Sequence, residues 1–438
     1  MGLIKRVVAM GIIKGDDSKK QDKYLKLAVT LGVIALAVLT VIIVKSVLDD
    51  DIAVVAKNTE SERNAIINEA DKLALGYFYD EALEVLKKNP ELTDENLTGD
   101  AIQLKIADIQ NQKDSLIKYE GVVEHVFFHS LIIYPELAFD KKGHPAQGYN
   151  MWMTTVKEFK AMLPELYKRG YVLYPLNETI QISQEGSITP KAIYLPKGKK
   201  PLVISIDDVN YYDYMKPDGF ANRLVIGPDK KVWTEVTDPK GETKLTRDGD
   251  VMPILDDFVI QHPDFSWRGA KGVIALTGYE GALGYRITDG LPEEAQWQQE
   301  VKAVADNLKA DGWLFACHSY THNGYFRTGK VTMAQMKYDT DRWKQKIQPW
   351  VGETNIYISP FGWHWDNNNS IHRYIAESGY KIFCPVDISR KTIFYKDMMV
   401  MPRVNLDGYT MQKRPDFVSQ YYFDVNKVYD TSRPEVNY

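Results

Sequence analysis

Two runs of the chain carry the residues best able to do chemistry. Trp313–Asn323 reads WLFACHSYTHN, an apolar stretch that gives way at once to His318 and His322. Leu202–Ile206 is a second apolar, β-branched stretch, and it ends in the pair Asp207–Asp208. Apolar runs of this length read as buried strands, which places both polar clusters just beyond strand ends. Two neutral imidazoles and one carboxylate make an open three-ligand site for a divalent metal. The remaining carboxylate is then free to act as a base on a water molecule.

The elements that must position these residues lie in a chain of 438 residues, 44% hydrophobic and 12% aromatic, which is enough for one large domain with appendages. The net charge is −5 with both signs abundant, so nothing points to nucleic acid as a partner. The two cysteines, Cys317 and Cys384, are too few for a disulfide scaffold. They read as buried reduced thiols or as a single bridge.

Leu27–Val44 is an uncharged run of 18 residues, about the length that crosses a hydrocarbon core of roughly 30 Å. Lysines and Arg6 precede it, and Asp49, Asp50 and Asp51 follow. The positive-inside rule then gives a cytoplasmic tail over 1–23, a signal anchor over 24–48 and an outward-facing remainder. A cleaved signal peptide is the alternative, with Ala35-Leu36-Ala37 as its cleavage pattern. Val7–Ile13 is too short to span a bilayer. Residues 49–118 read as a helical stalk, in which LALGYFYDEALEVLKK resembles one tetratricopeptide-type hairpin without a second copy. Such a stalk could bind an envelope protein.

From 119 to 438, strands alternate with helices, the pattern of a mostly parallel sheet or barrel. In such folds, sites gather at the carboxyl ends of strands, where both clusters fall. Asp218–Thr246 is rich in turn residues and reads as a β-hairpin excursion outside the core. Tyr211, Tyr212, Tyr214, Tyr279, Tyr285, Trp363 and Trp365 lie near the motifs and offer stacking faces for sugar rings, or plain packing. GYEGALG is no phosphate loop, because no Gly-Lys-Ser/Thr follows it.

The order of motifs is His129-Ser130-Leu131, then Thr155, Phe159, Leu163, Leu166, Gly170 and Tyr171 at fixed spacing. Asp207-Asp208, His318-Ser319-x-x-His322 and Ser359-Pro360-Phe361-Gly362 follow. This order resembles the polysaccharide deacetylase family (NodB homology, carbohydrate esterase 4) over roughly residues 120–414. The resemblance implies a deformed (β/α) barrel and a zinc ion held by Asp208, His318 and His322, with Asp207 as general base. It also implies that the Phe361 backbone N–H faces the oxyanion, and that Tyr211, Pro360, Gly362, Trp363 and His364 line the substrate groove.

The chain departs from that pattern in three places. Val209 follows the aspartate pair where the family has Gly. Ile358 stands where the family has an arginine that orients the base; Arg403 and Arg390 are candidate replacements. No histidine lies in Val400–Leu406, where the family's general acid belongs, since the last of the eight histidines is His372. His129 or His364 could substitute, and each also reads as a structural or surface histidine. The expectation is a membrane-anchored, outward-facing, metal-dependent deacetylase of an N-acetylated glycan. The alternative is a catalytically impaired relative that binds glycan or scaffolds an envelope complex.

Overall fold

The computed structural model describes residues 17–88, 101–140, 146–288 and 290–435. The apolar patch Val7–Ile13 and most of the basic tail therefore lie outside the described residues. The described chain falls into two compact units, one from Met1–Ala70 and Val85–Lys105, the other from Asp71–Glu84 and Ile106–Tyr438.

In the first unit the main feature is helix Asp17–Leu75, whose last residues belong to the second unit. It contains Leu25–Ser46, a 22-residue stretch long and apolar enough to cross a membrane and buried nowhere along its length. Within the second unit, the turn after this helix packs on the large domain. Tyr77 stacks on Trp267 at 4.9 Å, its hydroxyl donates to the Asp264 carbonyl at 2.7 Å, and Arg268 pairs with Glu81 at 2.5 Å.

The large domain is built on parallel strands: β1 (Glu124–His129), β2 (Lys200–Asp207), β3 (Val273–Leu276), β4 (Leu314–Cys317), β5 (Ile356–Ile358) and β6 (Ile382–Cys384). The last, β7, comprises Met399–Val400 and Val404–Asn405. Its first half pairs with β6 and its second half with β1, and Val386 bridges to Arg403 between them. One segment thus closes the sheet on itself, which makes it a deformed (β/α) barrel.

Side chains alternate across each strand, so every strand serves two cores. Leu202, Ile204 and Ile206 of β2 join Val126 and Phe128 against the outer helices, where Phe159, Leu163, Val301, Leu308 and Trp343 meet them. On the other face Val203, Val273, Ala275, Ala316, Ile356 and Ile382 fill the lower barrel with apolar volume. Above them the same face turns polar, with His125, Ser205, Asp207 and Arg403 all buried. Helix Val156–Lys168 begins with a capping box between Thr155 and Glu158. It is clamped by the C-terminal Arg433, which pairs with Glu158 at 2.6 Å.

One expectation needs correction. Residues 218–246 form a three-stranded antiparallel sheet (Ala221–Ile226, Val232–Thr237, Thr243–Thr246), and Ala221, Leu224, Val232 and Val236 are buried in the main core. Its strands alternate apolar and polar residues, so one face was free to join that core. Cys317 and Cys384 are buried free thiols, with no bridge between them.

Candidate metal centre

Asp208, His318 and His322 converge at the carboxyl end of the barrel. Their ligand atoms lie within 4.8 Å of one another, close enough for small side-chain rotations to meet one ion at the usual 2.0–2.2 Å. The donor set fits a divalent metal, and its surroundings prepare it. His318 Nδ1 lies 2.9 Å from the Ile358 carbonyl, which can only accept, so Nδ1 carries the proton and Nε2 presents its lone pair. Burial pushes the His322 imidazole down to about 4, which keeps it neutral. For Asp208, burial works against ionisation, but His322 and His318 outweigh it and hold the carboxyl below its usual range. The Tyr212 hydroxyl donates to Asp208 Oδ1 at 2.8 Å and fixes that carboxylate's direction.

The loop between the histidines is held from outside. Asp339, fully buried on helix Met333–Lys346, accepts from Tyr320 N–H at 2.6 Å, Thr321 N–H at 2.9 Å and the Thr321 hydroxyl at 2.6 Å. The Ser319 hydroxyl accepts from His322 N–H at 2.9 Å. Asp208, Ser319, His322 and Phe361 all have positive φ, at 58°, 62°, 44° and 55°. Left-handed backbone costs non-glycine residues roughly 1–2 kcal/mol each, so this cluster marks a place where geometry is kept at the expense of stability.

Asp207 lies beside the triad, 3.9 Å from His318 Nε2. Arg403 grips it through both oxygens, at 2.7 and 3.0 Å, and lies 4.1 Å above the Phe127 ring. Burial alone would raise the Asp207 carboxyl, yet the Arg403 guanidinium and His318 bring it down to about 2. Of the two candidate arginines, Arg403 is the one that meets Asp207. Arg390 does not, because it pairs with Glu124 at 2.5 Å under the Tyr421 ring.

A cleft of about 750 Å³ opens over these groups. It is lined by His129, Asp207, Asp208, His318, His322, Phe361 and Gly362. His129 stands level with Asp207 on the neighbouring strand, with Nδ1 donating to the Trp152 carbonyl at 3.1 Å. The Phe361 ring lies on His322 at 4.3 Å with Arg327 above it at 4.7 Å.

The other expected groove residues lie elsewhere. Tyr211 is a core residue whose hydroxyl donates to Asp250 at 2.6 Å, because its left-handed backbone turns it inward. Pro360 is buried. Trp363 covers Gly329, and His364 is exposed near Phe383, outside the cleft lining. The cleft instead uses Tyr214, Trp152 and Tyr409, the last two in contact at 5.6 Å, together with Asn405, Asp407 and Arg414. Trp152 ends helix Ala146–Trp152 and Tyr409 lies in helix Gly408–Lys413, both too short for a period to mark them in the sequence.

No family model matches the chain, and no curated protein matches it. Among solved structures it is similar to a Streptococcus pyogenes deacetylase, PplD, in complex with acetate, at 12% identity and a TM-score of 0.37, covering 70% of this chain and 99% of that one. It is also similar to IcaB from Ammonifex degensii, at 10% identity and a TM-score of 0.37, covering 70% of this chain and 97% of that one.

Proposed function

We propose that the protein is a metal-dependent deacetylase that hydrolyses N-acetyl groups of a cell-wall or surface glycan. In this reading Leu25–Ser46 anchors it in the membrane, with the barrel outside the cell. The observation that carries the reading is the open cleft in which Asp208, His318 and His322 converge beside Asp207. A divalent ion held by the triad, with zinc suited to two imidazoles and a carboxylate, would polarise an acetyl carbonyl and acidify a water. Asp207 accepts the proton from the attacking water, and Arg403 keeps it ionised and aimed. No partner for the Phe361 N–H is found among the described residues, which leaves it available to the oxyanion. The Trp152–Tyr409 pair and Tyr214 offer faces to sugar rings.

The test is acetate release from N-acetylglucosamine oligomers and peptidoglycan by the full-length chain in detergent, with Asp207→Asn alongside. The expected result is release by the wild type and a loss of at least about 10²-fold in the variant. Metal-loaded protein that releases no acetate from any glycan tried would contradict the proposal.

A further inference from the structure

The cleft contains a second buried carboxylate that the reading above leaves without a task. Asp407 follows β7 by two residues and is 1% exposed, yet it lines the cleft. Strand register gives its place. Val404 pairs with Val126 and Asn405 with Phe127, while His129 pairs with Asp207. Asp407 lies two residues beyond Asn405 in extended backbone, so continuing that register brings it level with His129 and hence with Asp207. With strands about 4.8 Å apart, the backbones carrying the two aspartates stand about 10 Å apart across the barrel mouth, which leaves room for an amide between their side chains.

Its surroundings are unlike those of Asp207. Among the described residues no lysine or arginine pairs with Asp407. Oδ1 accepts from the Thr410 N–H at 2.7 Å, capping helix Gly408–Lys413, and Oδ2 faces the Asn405 amide at 2.5 Å. That amide serves either protonation state: its NH₂ donates to a carboxylate, and turned about, its oxygen accepts from a carboxylic O–H. Asn405 Oδ1 otherwise has no partner among the described residues despite being buried. The charged groups nearest on other elements are Arg433, which is occupied by Glu158, then His129 and Arg414.

Resting on the deacetylase reading, we propose that Asp407 is the general acid that protonates the departing amine. In the tetrahedral adduct the C–N bond breaks and its electron pair stays on nitrogen. That nitrogen takes the proton from the Asp407 carboxyl, so amine and acetic acid leave and Asp407 becomes a carboxylate. The proton that Asp207 took from water returns to Asp407 through solvent, which resets the site. Burial lifts the Asp407 carboxyl to about 6, while both oxygens of Asp207 are held by the Arg403 guanidinium. Two carboxyls whose environments drive them apart in this way are suited to opposite roles in acid–base catalysis.

The experiment compares an amide substrate, which needs its amine protonated, with 4-nitrophenyl acetate, whose leaving group does not. Asp407→Asn and Asp407→Ser both keep a helix-capping side chain, and melting temperature reports folding. The expected result is a fall of about 10²–10⁴-fold in kcat on N-acetylglucosamine oligomers and less than about tenfold on the aryl ester. The basic limb of the pH profile for the amide should disappear in both variants and persist in His129→Gln. Equal losses on both substrates would reveal a structural role and overturn the proposal. So would unchanged amide turnover, or a basic limb lost in His129→Gln instead. A wild type that cleaves the ester but no amide would sink the deacetylase reading itself.

Discussion

Asp207 and Asp407 stand level at the mouth of one barrel, two strands apart, and the protein surrounds them in opposite ways. Asp207 is gripped by the fully buried Arg403, which is braced in turn by the Ser205 hydroxyl at 3.1 Å. Asp407 is buried equally deeply but is met by the Thr410 N–H and hydroxyl and the Asn405 amide, while the nearby Arg433 is paired with Glu158. Depth of burial therefore does not decide charge. A bidentate guanidinium offsets desolvation at one site, and its absence leaves a carboxyl that holds its proton more tightly at the other.

The largest way to break this comparison is to remove the guanidinium. Arg403→Met should destabilise the protein by about 3–5 kcal/mol, read from urea unfolding, because Asp207 is left as a buried charge without a partner. Asp407→Asn has no ion pair to break and should shift the same curve by less than about 1.5 kcal/mol, the scale of one neutral hydrogen bond. Similar losses in the two variants would erase the distinction.

Asp339→Asn tests whether the histidine loop is held as firmly as Asp207. It turns one acceptor oxygen into a donor facing the Tyr320 and Thr321 donors, and metal affinity should fall about 10–100-fold by competition with a chelator. Unchanged affinity would show that the loop's left-handed residues keep its shape unaided.

The smallest effect lies in the pH dependence of stability, followed in chelator-treated protein. The folded-state value for Asp207 lies near 2, below its ordinary 3.8, so its contribution is present above about pH 4 and is lost as pH falls through 2. For Asp407 the folded-state value lies near 6, above 3.8, so its contribution is present below 3.8 and is lost as pH rises through 6. Relative to the wild type, Asp407→Asn should therefore gain ground between pH 4 and 6. A parallel offset across that window would contradict the assignment.

The sequence made the barrel and the convergence of Asp208, His318 and His322 legible for one reason: both are written locally. A buried strand is a short apolar run, and the site residues follow immediately after it, at Asp207–Asp208 and His318–His322. The helix cap at Thr155 and the stop at Gly170 are equally local signals. What escaped depends on contacts between distant segments. Arg403 could be named only as one of two candidates, because its pairing with Asp207 arises from barrel closure by β7. Asp339 lies on a helix and looks like any polar helical residue until the loop folds onto it. Tyr211 and Trp363 were misplaced because a positive φ at Tyr211 and the bare Gly329 beneath Trp363 set their directions. Aromatic character alone gives no direction. The three strands within 218–246 were read as excursion because their turns are conspicuous, whereas their alternating apolar face is quiet.

The most direct test of the central claim is metal-dependent turnover. The full-length protein is stripped with a chelator and titrated with Zn²⁺ while acetate release from N-acetylglucosamine oligomers is followed, with His318→Ala in parallel. The account predicts no release from stripped protein, recovery complete at one equivalent of metal, and no recovery in the variant. Turnover that survives stripping, or none at saturating metal in a folded wild type, would contradict it.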